Sequence, residues 1–253
     1  MQINNLEKFK AKALSGTPAM GMTITFSDPA ISELAADAGC DFVWLDMEHS
    51  PFTITDIANH IMAVRGTDCA PFVRVPCGEP WILKTVIDLA PAGVIVPMIN
   101  SAEDLEKVVS ACRYPPTGIR GCGLRRGVNY GAKPTEEYFR EAADEPFVIA
   151  QIEHIDAVKN LDAILQVKGL GSICIGPYDL SGSIGKFASP NDPEVGMIVD
   201  GICEKAQRAG VMVGAFAENY SKWQHRKLNW MSVCTDTGML FGTLSKEIRS
   251  RRK

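Results

Sequence analysis

An α/β barrel of eight parallel strands, each trailed by a helix, is the fold this sequence predicts. Three observations point there. Eight short apolar runs recur along the chain, helix-like stretches with cap residues lie between them, and the 253 residues suit one barrel over 1–253. Such a barrel takes roughly 250 residues. Strands that alternate with helices imply βαβ units and hence a parallel sheet.

The elements follow in order. The first run is "GMTITF", and after it "DPAISELAADAG" reads as a helix, opened by Asp-Pro and closed by Gly. "DFVWLD", "PFVRVP" and "GVIVPM" are the next three strands, followed by "SAEDLEKVVSAC", a helix opened by a Ser cap. "FVIAQIE" and "SICIGP" are strands five and six. "DPEVGMIVDGICEKAQRAG" is a framed helix, and "VMVGAF" and "MSVCTD" complete the eight. Near-continuous Val, Ile, Phe and Cys suits strands covered on both faces. One segment breaks the rhythm. Arg113 to Phe139 is too long for a simple connection, and its Pro-Pro, Gly and Arg content suggests a loop over a site.

Composition narrows the classes. With 46% hydrophobic and 22% charged residues the chain reads as an ordinary soluble globular protein. A formal net charge of -4 predicts neither a nucleic-acid nor an anionic-membrane partner. No apolar run approaches the ~20 residues that span a bilayer, and the N-terminus lacks a secretory pattern. Eight scattered cysteines without a C-x-x-C pair predict free thiols and a cytoplasmic location.

The polar residues gather at the carboxyl ends of the strands, the face on which this fold builds active sites. The second strand contributes Asp46, Glu48 and His49; the third, Arg74; the fifth, Gln151 and Glu153; the sixth, Asp179. Gln151 and Glu153, two apart, share a side, which sends His154 to the other and marks it as structural. Glu153 and Asp179 are a hard-oxygen pair suited to Mg²⁺ or Mn²⁺. The alternative is that Glu153 pairs with Arg74 and Asp179 caps a helix. His49 follows Asp46 by three positions, and a carboxylate on one imidazole nitrogen makes the other a better base. A buried Arg74 needs an anion, such as an enolate or carboxylate. Arg120, Arg125 and Arg126 of "GCGLRRG" and its flanks either clamp an anionic substrate or form a solvated face. "KEIRSRRK" reads as a solvated helix end.

These residues resemble the metal-dependent pyruvate aldolases of the HpcH/HpaI family, within the phosphoenolpyruvate/pyruvate barrel superfamily. The resemblance rests on "DFVWLDMEHSP", "PFVRVP", "GVIVPMINSAEDLEKVVSACRYPPTGIRG", "AQIEHIDAVKNLDAI" and "IGPYDLSGSIG", in that order. It implies reversible cleavage of a 4-hydroxy-2-oxo acid to pyruvate and an aldehyde through a metal-stabilised enolate. It further implies Glu153 and Asp179 as ligands of Mg²⁺, Mn²⁺ or Co²⁺, His49 as base, and Arg74 on the enolate. Gln151, Gly176, Tyr178 and Asp179 fall where pyruvate is held, and Asp88 where a carboxylate supports the histidine of a neighbouring subunit. Similar proteins are hexamers, trimers of dimers that exchange C-terminal helices. Ala90-Pro91, His154, Tyr178 and Gly127 depart from the family pattern. A lysine Schiff base is disfavoured, since no strand core holds a Lys. Competing readings are a lyase acting on acyl-CoA or citryl substrates and a non-catalytic barrel that binds a 2-oxo acid.

Overall fold

Each predicted apolar run becomes a strand because its alternate side chains have two apolar surfaces to bury against, the barrel interior and the helical shell. In the computed structural model, which describes residues 3–217 and 220–252, these are β1 (Ala19–Ile24), β2 (Phe42–Asp46), β3 (Ala70–Arg74), β4 (Gly93–Val96), β5 (Phe147–Ile152), β6 (Leu170–Ile175), β7 (Met212–Phe216) and β8 (Trp230–Thr235). All pair in parallel with their sequence neighbours, and β8 returns to β1 to close the barrel.

The caps read from sequence act as caps. Ser101 Oγ accepts from Asp104 N at 3.1 Å to open the helix Ala102–Cys112. Asp192 accepts from Glu194 N at 2.8 Å before Pro193–Arg208. Both satisfy donors that a helix start leaves orphaned. Gly39 closes the helix Ala30–Asp37 at a φ of +92°, where an L side chain is strained.

Val, Ile and Leu on the outer strand faces pack against the helices. The interior is aromatic: Phe42, Phe72, Phe147 and Trp230 fill the lower barrel, around Phe9 of the N-terminal helix Leu6–Ala13. The Phe9 ring lies edge-on to Phe72 at 4.6 Å and to Phe42 at 5.7 Å. This plug closes the end of the barrel where the strands begin and leaves open the end where they finish.

The long segment Arg113–Phe139 departs from expectation. It links a helix end to the start of β5, so it covers the closed face of the barrel, not the open one. Its arginines are neither a clamp nor a solvated face, apart from the exposed Arg125. Arg120 is buried and donates to Ile87 O, Glu145 O and Tyr138 Oη. Arg126 donates to Leu89 O, Ala90 O and Ile3 O. Guanidinium groups here tie off carbonyls that helices and turns leave unpaired.

Among the described residues no helix is long and apolar enough to cross a membrane, and the cysteines form no disulfide. The last helix, Asp236–Arg251, turns Met239, Leu240, Phe241, Leu244 and Ile248 to solvent.

Candidate active site

The open end of the barrel holds a cavity of about 400 Å³. Asp46, His49, Arg74, Gln151, Gly176, Tyr178 and Asp179 all line it. Their convergence follows from topology, because parallel strands deliver their last residues to one face.

Asp46 ends β2 directly opposite Arg74 at the end of β3. The pair is bidentate: Arg74 Nε donates to Asp46 Oδ1 at 2.9 Å and Nη2 to Oδ2 at 2.6 Å. Glu48 adds a second carboxylate, 3.1 Å from Nη1, and the Trp44 ring lies 5.1 Å from the guanidinium carbon. Burial works against the charge on Arg74, but the Asp46 hydrogen bonds and the two carboxylates outweigh it and raise its pKa above the ordinary value. Arg74 is therefore a fixed cation at the cavity wall.

Asp46 Oδ1 also accepts from the backbone N–H groups of Glu48 and His49, at 3.0 and 3.3 Å. This aspartate turn shapes the strand exit that carries His49. The Asp46 carboxylate is thus occupied by Arg74 and by backbone, and it does not hold the His49 ring. The carboxylate oxygen beside that ring is Glu48 Oε2, 3.8 Å from His49 Nε2. Glu48 has its pKa raised by burial, with Arg74 acting in the opposite sense.

Gln151 and Glu153 do share a side. Gln151 Nε2 donates to Glu153 Oε2 at 2.5 Å, and Met98 N donates to Oε1 at 2.8 Å. Glu153 therefore stands apart from the Arg74–Asp46 pair. Burial raises its pKa, and the nearby Asp179 charge adds to the rise. Gly176 permits this arrangement, since a Cβ there would sit 2.7 Å from both Cβ and Oε2 of Glu153. Asp179 lies in the first turn of the helix Pro177–Ser183 and does not cap it.

These residues fit a divalent cation. The nearby Asp179 charge disfavours the ionised form of Glu153, and Gln151 Oε1 is buried with no hydrogen-bond partner among the described residues. An all-oxygen set of this kind suits a hard cation that keeps places for substrate and water. Among the described residues no cluster of three or more His, Cys, Asp or Glu could hold a metal.

Asp88 is not brought to this site. It ends the helix Pro80–Ile87 at the closed face of the barrel, 4.0 Å from Arg120 Nη2, with Oδ1 buried and without a hydrogen-bond partner. His154 caps the helix Ile155–Lys159, its Nδ1 accepting from Asp156 N at 3.2 Å, the structural role expected of it.

Sequence reasoning missed Trp44, Thr23, Thr25, Phe216 and Thr235, which also line the cavity. Trp44 was available from strand parity, being two residues before Asp46 on the same face. The threonines carry no ionisable signal.

Comparison with known proteins identifies the fold and the family. The chain is 31% identical over 251 residues to a hydroxypyruvate/pyruvate aldolase of Roseobacter denitrificans, covering 98% of each chain. It is 33% identical over 248 residues to a 2-keto-3-deoxy-L-rhamnonate aldolase of Klebsiella pneumoniae, covering 95% of this chain and 91% of that one. A crystal structure of a HpcH/HpaI aldolase/citrate lyase family protein from Burkholderia cenocepacia superposes with a TM-score of 0.91 at 26% identity, over 98% of this chain and 99% of that one. The family model for HpcH/HpaI aldolase/citrate lyase matches residues 20–239. Barrel and sequence therefore agree, and the chain belongs to the HpcH/HpaI aldolase/citrate lyase family.

Proposed function

We propose that this family member is a class II pyruvate aldolase that reversibly cleaves a 4-hydroxy-2-oxo acid into pyruvate and an aldehyde. One observation carries the reading: a fixed cation, an exposed imidazole and the Asp179 carboxylate line one cavity at the open end of the barrel, with Glu153 hydrogen-bonded to Gln151 of the same lining. Related proteins named as aldolases for 2-oxo acids support it.

Glu153 and Asp179 would hold the divalent cation, with Mg²⁺, Mn²⁺ and Co²⁺ as candidates, and Gln151, Gly176 and Tyr178 border the pyruvate position. When bound, the cation supplies Lewis-acid polarisation of the keto oxygen. Arg74 stabilises the negative charge that develops on that oxygen, preorganised by Asp46 so that no reorganisation is needed during reaction. His49 accepts the proton of the 4-hydroxyl group. The bond between C3 and C4 then breaks, its electron pair passing into the enolate, and the aldehyde leaves. Protonation of the enolate at C3 completes pyruvate.

The same reading has Asp88 acting on the His49 of a neighbouring subunit in a hexamer. The solvent-facing apolar side chains of the last helix suit exchange of that helix between subunits. The same reading places the protein in the cytoplasm, where thiols stay reduced.

The test is turnover of a 4-hydroxy-2-oxo acid with pyruvate as the measured product. Chelation should abolish it and Mg²⁺, Mn²⁺ or Co²⁺ should restore it, while Glu153→Gln should need far more metal yet stay folded. Full activity in metal-free buffer would refute the metal assignment. Absence of cleavage with every divalent ion and a broad set of oxo acids would refute the aldolase.

A further inference from the structure

His49 stands at the cavity rim with its side chain 66% exposed. A histidine so placed samples several rotamers, whereas a general base must come within about 2.6–3.2 Å of the proton it takes. Some group has to hold the ring. Asp46 is already spent, with Oδ1 accepting from Arg74 Nε and two backbone N–H groups and Oδ2 accepting from Arg74 Nη2. Asp88 of the same chain lies at the opposite end of the barrel.

Glu48 remains. Its Oε2 is 3.1 Å from Arg74 Nη1 and 3.8 Å from His49 Nε2. The atom is shielded from solvent yet has no aligned hydrogen-bond donor among the described residues. A buried carboxylate oxygen left in this condition is costly unless it gains a donor at another stage of the cycle. The nearest ring nitrogen is that donor once the imidazole carries a proton on Nε2.

We propose that Glu48 is the positioning residue of His49: anchored on Arg74, its carboxylate orients the imidazole over the cavity and stabilises the imidazolium formed when the 4-hydroxyl proton is taken up. The assignment rests on the aldolase reading. It adds a support that each chain carries for its own histidine, independent of any neighbouring subunit. Arg74 itself is held by its bidentate pair with Asp46, so it anchors Glu48 without depending on it.

The test uses the full chain. Glu48→Gln should lower kcat for cleavage about tenfold, a part of the roughly 10²–10⁴-fold that a general base contributes, with KM changed by less than about twofold. Exchange of pyruvate methyl protons in D₂O, which needs Arg74, should stay within about twofold of the natural protein. In a His49→Ala background, Glu48→Gln should cost nothing further, since residues that act as one unit are not additive. Parallel loss of exchange and cleavage, an unchanged kcat, or an undiminished loss in the His49→Ala background would overturn the assignment. Should Glu48→Gln not fold, Glu48→Asp keeps the charge on a shorter arm and is expected to lower kcat alone, again with no loss beyond His49→Ala. Failure of the natural protein to cleave any 4-hydroxy-2-oxo acid counts against the aldolase reading instead. The contact is then read without turnover, from imidazole NMR signals, where Glu48→Gln should shift His49 and leave His60, His154 and His225 in place. An unmoved His49 signal overturns the assignment there too.

Discussion

Arg74 shows how a single charged residue is fixed at a cavity wall. A guanidinium in an apolar strand costs free energy unless anions meet it, and the end of β2 and the segment after it supply two, Asp46 and Glu48. Arg74→Ala should therefore lower cleavage by roughly 10²–10³-fold, the usual loss for one oxyanion partner, and should abolish methyl-proton exchange of pyruvate in D₂O followed by NMR. Exchange at the natural rate would make the arginine structural. Glu145 illustrates the opposite electrostatic case at the closed face. Burial raises its pKa above the ordinary 4.5, although Asn4 Nδ2 donates to its Oε2. The folded chain then binds this proton more tightly than the unfolded chain does. By linkage, stability from this group is greatest below pH 4.5 and declines as pH rises through the higher folded value. Glu145→Gln should flatten that decline in thermal melts taken between pH 4 and neutrality, and an unchanged slope would show that the group does not govern it.

At the scale of elements, the barrel is built from one closed end and one open end. The helix Leu6–Ala13 inserts Phe9 among Phe42, Phe72, Phe147 and Trp230, so the lower interior is solid. Phe9→Ala should cost about 3–5 kcal/mol, as other buried Phe truncations do, measured by denaturant unfolding. Turnover well below the melting temperature should be nearly intact, because the site residues leave from the other ends of the same strands. Gly214 of β7 belongs to the same packing, since a Cβ there would lie 1.9 Å from Trp230 Cε2. The aromatic plug and the glycines facing it are one device: large rings occupy the space that absent side chains leave.

At the scale of the whole molecule, two features of the chain bear on assembly. Its last helix shows a row of apolar side chains to water, and Asp88 is aimed away from the chain's own His49, with a buried oxygen lacking a hydrogen-bond partner. Both accord with an assembly in which chains complete one another. Sedimentation should find an oligomer, and Asp88→Ala should lower cleavage while leaving that oligomer intact. A fully active monomer would remove the role given to Asp88.

The eight strands were legible in the sequence because burial on both faces demands long apolar runs, and few other elements need them. Capped helices were legible for a local reason too, since Ser101 and Asp192 act within three residues of themselves. The set Asp46, His49, Arg74, Gln151, Glu153 and Asp179 was legible because parallel strands carry their last residues to one face. Pairings within that set were not. Arg74 had as many carboxylates to choose from as there are acidic strand ends, and only the register of β2 against β3, with Asp46 opposite Arg74, selected its partner. That choice took Asp46 away from the imidazole and left Glu48 beside it. The arginines of the long segment were equally undecided, because Arg120 and Arg126 gained their meaning from carbonyls up to 123 positions away in sequence. Local chemistry is written along the chain, but which charge meets which is set by distances that exist only once the barrel has closed.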